Sequence, residues 1–157
     1  MDFNDLINYF TSLPDQVLDD TSKIVAETAT EYYKERFKAK EFDGNPWAPT
    51  RAPRANGSLL INSGNLLNSI RPAYVGHDKV IISAGNEKVN YAQVHNEGYT
   101  GPVNVPAHIR HTKKWGDVNV KDHTRNTDIP QRQFMGQSNE LADKIHARLQ
   151  GYINTLK

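Results

Sequence analysis

The chain has no cysteine in its 157 residues. That excludes disulfides, Cys-ligated zinc, iron–sulfur clusters and thiol nucleophiles, and it fits a reducing, intracellular setting. No apolar run approaches the ~18 residues of a membrane-spanning helix, so no membrane partner is expected. The start, Met1-Asp2-Phe3-Asn4-Asp5, has no basic stretch, and a secretory signal is not expected either. Hydrophobic residues make up only 37% of the chain. This is low for a globular domain and predicts a small core, or surface that partners complete. Net charge is almost absent, at +1, but the charges segregate. Residues 1–35 hold eight acids against two lysines, whereas residues 36–75 hold six Lys/Arg against two acids. Residues 110–125 hold five Lys/Arg against two acids. Such blocks are either solvated surface or complementary faces on copies of one protein.

Catalytic signatures are missing too. There is no Gly-x-Ser-x-Gly elbow, no His-Glu-x-x-His and no glycine-rich loop ending in Gly-Lys-Ser/Thr. Histidine as a residue type titrates near neutrality, so His95 suggests a catalytic base, but no nucleophile context accompanies it. A structural histidine, bonded to backbone beside a turn that needs Gly98, is the better reading. His108 and His111, with His123, suggest a metal site only until their spacing is considered. On a strand, residues three apart face opposite sides, and Pro106 argues against a helix. No catalytic, cofactor-binding or metal-ligating residue is therefore expected. The basic residues around Trp115 keep contact with DNA open as an alternative, although a sequence pI near 8.0 is far from that of strongly binding domains. A His-dependent hydrolase is the more distant rival.

Hydrophobic spacing gives the elements. Phe3, Leu6, Ile7 and Phe10 predict a short helix ending near Leu13-Pro14. A long helix follows over roughly Asp15–Lys40, with Pro14 and Asp15 suited to its start. Its apolar face combines Val25, Ala29, Tyr33 and Phe37 with Leu18 and Tyr32. Residues 42–57, with three prolines and two glycines, read as an irregular loop. Asn62-Ser63-Gly64 opens a short helical stretch, and residues 73–84 predict two strands around Gly76-His77-Asp78. Tyr91–Asn96 is a short helix or a strand. Residues 103–128 alternate apolar and polar positions and predict an extended β-hairpin, too polar to pack deeply and therefore projecting. A last helix over Ser138–Leu156, N-capped by Ser138, carries Leu141, Ile145, Leu149, Tyr152, Ile153 and Leu156 on one face. The whole, residues 1–157, reads as a single α+β domain.

Four motifs stand in fixed order: Gly44-Asn45-Pro46-Trp47; Leu60-Ile61-Asn62-Ser63-Gly64-Asn65-Leu66; Tyr91-Ala92-Gln93-Val94-His95-Asn96-Glu97-Gly98; and Ile129-Pro130-Gln131-Arg132-Gln133-Phe134-Met135. With a helix before and after, this string resembles the phage virion morphogenesis family of Mu-like tail-completion and head–tail joining proteins. The family positions are matched by Gly44 and Trp47; by Leu60, Gly64, Leu66, Ser69 and Ile70; by Tyr91, Ala92, His95 and Gly98; and by Pro130, Arg132 and Phe134. Where the family often has a second proline before that phenylalanine, this chain has Gln133. The resemblance implies long N- and C-terminal helices packed on a small antiparallel sheet. It also implies a non-enzymatic role in the virion, after assembly in the host cytoplasm. Partners would be copies of the chain in a ring, often of six, and other neck or tail proteins.

Trp47 either anchors its own loop or docks on a partner, and it counts among the interface candidates. The others are Arg110, Lys113, Lys114, Trp115, Lys121 and Arg125. Arg132 either bonds carbonyls near a helix end or pairs with an acid of a neighbouring copy.

Overall fold

A computed structural model describes residues 3–11, 15–50 and 57–156. Helix α1 spans Phe3–Thr11 and α2 spans Asp15–Ala39. Pro14, expected at the start of α2, and the loop residues 51–56 lie outside the described residues. A two-residue hairpin, β1 (Glu41–Phe42) and β2 (Asn45–Pro46), turns at Asp43-Gly44. Both turn residues have positive φ, 50° and 79°, as a type I′ turn requires. Helix α3 (Asn65–Ser69) follows, with Gly64 at its N-cap. Strands β3 (Arg71–Val75) and β4 (Val80–Ser83) pair antiparallel, with a register shift between Pro72 and Tyr74.

Tyr91–Asn96, ambiguous from sequence, leads into a helix, α4 (Ala92–Glu97). Four strands follow: β5 (Tyr99–Val105), β6 (His108–Thr112), β7 (Gly116–Val120) and β8 (His123–Ile129). The chain ends in α5 (Asn139–Thr155), where the Ser138 hydroxyl accepts the Leu141 amide, as an N-cap should. The fold is thus α+β, with its strands in small antiparallel pairs.

Helix α2 is the common support. It packs against α5 and also against β3 and β4. The two long helices therefore meet each other, with α2 carrying the small sheet. The expected faces are largely the buried ones: Ala29, Tyr32, Tyr33, Phe37, Leu141, Ile145 and Leu149 are buried in one cluster, with Val25 partly buried beside it.

Polar residues share this interior because they bond locally. Thr21 and Thr28 hydroxyls donate to the carbonyls of Leu18 and Ile24 on their own helix. Ser22 donates to Gly76 O at 3.0 Å and ties α2 to the β3–β4 turn. Arg36, which the sequence places at the head of a basic stretch, is only 5% exposed. Its guanidinium lies 4.3 Å from the Tyr32 ring centre and 3.2 Å from the Glu140 carboxylate. Four of the eight acids of the N-terminal block are engaged within the chain as well. Glu31 pairs with Arg148, Glu35 with Lys144 at 3.3 Å, and Asp19 with His77 at 2.6 Å, and Asp20 accepts from Lys23 and Tyr152. The N-terminal acids are thus less available to a neighbouring copy than their number suggests.

Two stability predictions follow from this packing. Ile145 is 3% exposed, so Ile145→Ala should cost about 2–5 kcal/mol in chemical denaturation. Burial pushes the Tyr32 and Tyr33 hydroxyls above the usual tyrosine value. The folded chain keeps these protons at a pH where the unfolded chain has lost them. Their contribution is complete below about pH 10 and is lost as pH rises through the folded values. Burial moves Lys40 the opposite way, downward, an effect common to parent and tyrosine variants. Denaturation midpoints should therefore fall more steeply above about pH 10 in the parent than in Tyr33→Phe.

Candidate functional site: a projecting arm and its root

Strands β5 to β8 form one continuous hairpin rather than two separate ribbons. Strand β5 pairs with β8, and β6 pairs with β7. Tyr99 faces Ile129 at the base, Val105 faces His123, His108 faces Val120, and Thr112 faces Gly116 at the far end. Equal steps inward along both strands carry each pair to the next. No residue is inserted or lost where the ladder pauses at Pro106-Ala107 and Lys121-Asp122. The expected hairpin is present and begins earlier, at Tyr99. No residue of its four strands is buried. Thirteen steps of ~3.4 Å make the arm at most roughly 45 Å long, well beyond the ~15 Å radius of gyration expected for a compact chain of this size.

The tip is a three-residue loop, Lys113-Lys114-Trp115. The Thr112 hydroxyl fixes it twice, accepting the Trp115 amide and donating to Gly116 O, both at 3.0 Å. Gly116, at φ 64°, takes the left-handed conformation such a loop needs. The indole of Trp115 is 73% exposed, with the Lys114 ammonium 5.0 Å from its ring centre. An ordered, exposed tryptophan has the properties of an interface anchor.

The six interface candidates on the arm do not make one patch. Arg110 faces Val118 in the outer ladder, Arg125 faces Val103 in the inner ladder, and Lys121 lies at the pause between them. Only Lys113, Lys114 and Trp115 come together, at the tip. His108 and His111 fall on opposite faces, and His111 pairs instead with Asp117 across the strands. Among the described residues, no three His, Asp or Glu side chains are grouped to hold a metal ion.

Three of the four motifs interlock at the base of the arm. The third runs into β5 and the fourth leaves β8. The Asn96 carboxamide accepts the Phe134 and Met135 amides at 2.9 and 3.0 Å and donates to Met135 O at 3.2 Å. The Arg132 amide donates to His95 O at 2.8 Å. The Arg132 guanidinium reaches the first motif's loop, donating to Ala48 O at 2.9 Å and Pro49 O at 3.1 Å. Trp47 donates its indole N–H to Gln133 O. A carbonyl is all this contact needs, so the glutamine in place of proline leaves it intact. Phe134 is buried, 1% exposed, with its ring centre 5.1 Å from that of Phe37.

These contacts bear on two readings. Trp47, counted among the interface candidates, is 8% exposed and stands edge-on to Phe37. It anchors its own loop to the core and has little surface left for a partner. Arg132 is equally buried and bonds carbonyls of its own chain.

Gly98 is the hinge between α4 and the arm. Its φ of 80° and ψ of 166° belong to a region almost exclusive to glycine. A Cβ there would stand 3.0 Å from the Gln131 amide nitrogen. Sequence reasoning missed Asn96, although it stands inside the third motif beside Gly98. An asparagine there, four residues into a short helix that a glycine ends, was the available signal.

The second motif contributes a cleft of about 210 Å³ where Leu60, Asn62, Ser63 and Gly64 meet Tyr91 and His95. The rings of Tyr91 and His95 meet edge-on at 5.6 Å. Leu60 adopts φ 60°, rare for a bulky residue, in the turn closed by Ser58 and Ile61.

This geometry defines a small α+β domain that presents a long, solvent-facing hairpin from an interlocked root. The chain belongs to the phage virion morphogenesis family, which it matches over residues 1–154. Membership supports a structural role in phage assembly rather than a catalytic one, and association with the virion. No curated protein and no solved structure matches the chain. Among the described residues, no helix is long and apolar enough to cross a membrane.

The root predicts two variants. Asn96→Ala leaves the Phe134 and Met135 amides without their acceptor and should cost ~1–3 kcal/mol. Gly98→Ala should cost a similar ~1–3 kcal/mol through backbone strain alone, with the contact to Gln131 adding to it. Gly116→Ala, with open space around its Cβ, should cost less than Gly98→Ala. Urea denaturation of the three variants checks this order.

Proposed function

We propose that the chain completes the tail or joins head to tail, acting as a ring at the neck or at the head-proximal end of the tail. In this reading the core is the ring's body and the arm is its contact. The observation that carries it is the arm itself: a hairpin over Tyr99–Ile129 with no buried residue, held by the motifs that mark the family. A two-stranded ribbon gains too little from its own pairing to be kept for stability. Its ordered tip and exposed apolar side chains, Ile109 at 57% and Trp115 at 73%, suit burial against another molecule.

Shortening the arm tests this. Replacing residues 108–120 by a two-residue Asn-Gly turn preserves the inner ladder and its register. The variant should keep the parent's circular dichroism and come within ~1 kcal/mol of its stability, because the removed residues are exposed. It should fail to form the parent's oligomer and fail to restore infectious particles in a complementation assay. Normal rings and normal titres from the shortened chain would remove the arm from the mechanism.

A further inference from the structure

Resting on that reading, we propose that the arm tip of one copy docks in a groove on a second copy, between α2 and the β3–β4 turn. The groove has a volume of about 320 Å³ and is lined by Asp19, Ser22, Lys23, Ala26, Glu27, Val75 and Gly76. Its shape is held by two cross-links: Ser22 to Gly76 O at 3.0 Å, and His77 to Asp19 at 2.6 Å. Its apolar part combines Ala26, which is buried, with Val75, which is 42% exposed. Beside Val75, Tyr74 is 46% exposed, with the Lys79 ammonium 5.4 Å from its ring centre, so the strand leading to the groove carries apolar surface that the described residues leave partly open. Asp19 and Glu27 place two carboxylates on the rim against one lysine.

The tip matches this groove in chemistry. Trp115 supplies an indole for the Ala26–Val75 surface, and Lys113 and Lys114 supply two cations for the carboxylates. Both partners are preorganised, the tip by Thr112 and Gly116 and the groove by its cross-links, so little ordering entropy opposes docking. Three other grooves among the described residues suit the tip less well. The cleft at Leu60–His95 has no carboxylate, and the groove at Ala107–Lys121 has a lysine and no acid. The groove beside Asp43 offers one carboxylate where the groove at α2 offers two. Tip and groove are different surfaces of one chain. Their contact is therefore head-to-tail, the kind that closes into a ring when the rotation between copies allows.

The cysteine-free chain makes the test clean. Lys114→Cys combined with Glu27→Cys should give, on mild oxidation of the purified protein, disulfide-linked multimers between copies. Lys114→Cys with Gln150→Cys, an exposed position on α5, should not. Trp115→Ala should weaken self-association by ~30-fold or more, as an anchor residue does, without moving the denaturation midpoint. The pair Lys113→Glu and Lys114→Glu should abolish particle rescue, and Glu27→Lys in the same chain should restore part of it.

If the tip variants block rescue while the Lys114–Glu27 pair forms no link and Glu27→Lys restores nothing, the groove assignment is overturned and the arm reading stands. A tip that instead loses salt-sensitive binding to a duplex DNA probe would identify nucleic acid as its partner and equally overturn the groove. If the tip variants assemble and rescue like the parent, both the groove and the arm reading fail.

Discussion

Phe37 is completely buried near the end of α2, and two other rings close on it. Trp47 stands edge-on with its centre 5.4 Å away, and Phe134 lies tilted at 5.1 Å. The three residues come from the long helix, the proline-rich loop and the segment that returns from the arm. Aromatic pairs in such arrangements add roughly 0.5–1.5 kcal/mol each beyond their buried area. Their larger effect is geometric. The loop cannot lift without exposing Trp47, and the segment leading from β8 to α5 cannot shift without moving Phe134. Asn96 and Arg132 then tie α4 and the loop to that same segment. The direction of the arm is therefore inherited from the core through a short chain of contacts, none of which lies in the arm itself.

Much of the fold is legible because its signals are local. The α2 and α5 stripes and the Ser138 cap each depend on residues within a few positions of one another, whereas the short β1–β2 hairpin over Glu41–Pro46 was read only as irregular loop. The arm is as legible as the stripes, since alternation and a glycine at the tip are short-range features. What escaped depends on distant partners. Gly98, two residues on from Asn96, marks a helix end but does not reveal that the Asn96 carboxamide will meet amides almost forty positions away. Trp47 on a proline-flanked loop reads equally well as anchor or as partner contact until Phe37 and Gln133 are placed beside it. Arg36 looked like surface charge because a buried guanidinium is recognisable only with Tyr32, Glu41 and Glu140 around it. Segregated charge was legible, but how it is spent within the chain was not. Counting acids along the chain could not reveal that Glu31, Glu35 and Asp19 are matched by Arg148, Lys144 and His77.

The chain divides its work between two kinds of surface. Stability rests in the buried cluster that joins α2, α5 and the motif loops, where a lost methylene is felt. In the proposed reading, recognition falls to the arm, whose strands hold no buried residue, and to the groove that receives it. The two sets of residues overlap little, so they vary almost independently: tip residues can change without endangering the fold, and core residues without altering the contact. The root is the exception, because Gly98, Asn96 and Arg132 serve both. A change at any of these three residues would damage folding and arm placement together.

A long two-stranded ribbon has two open edges, and unpaired edges invite indiscriminate strand pairing. The arm carries gatekeepers against it. Pro102, whose ring nitrogen has no hydrogen to donate, sits in β5 opposite Asn126, and Pro106 occupies the pause in the ladder. Lys113, Lys114, Lys121 and Arg125 add like charges along the same ribbon. Two arms laid side by side would meet these prolines and repel. These features disfavour the zipping of arms into fibrils.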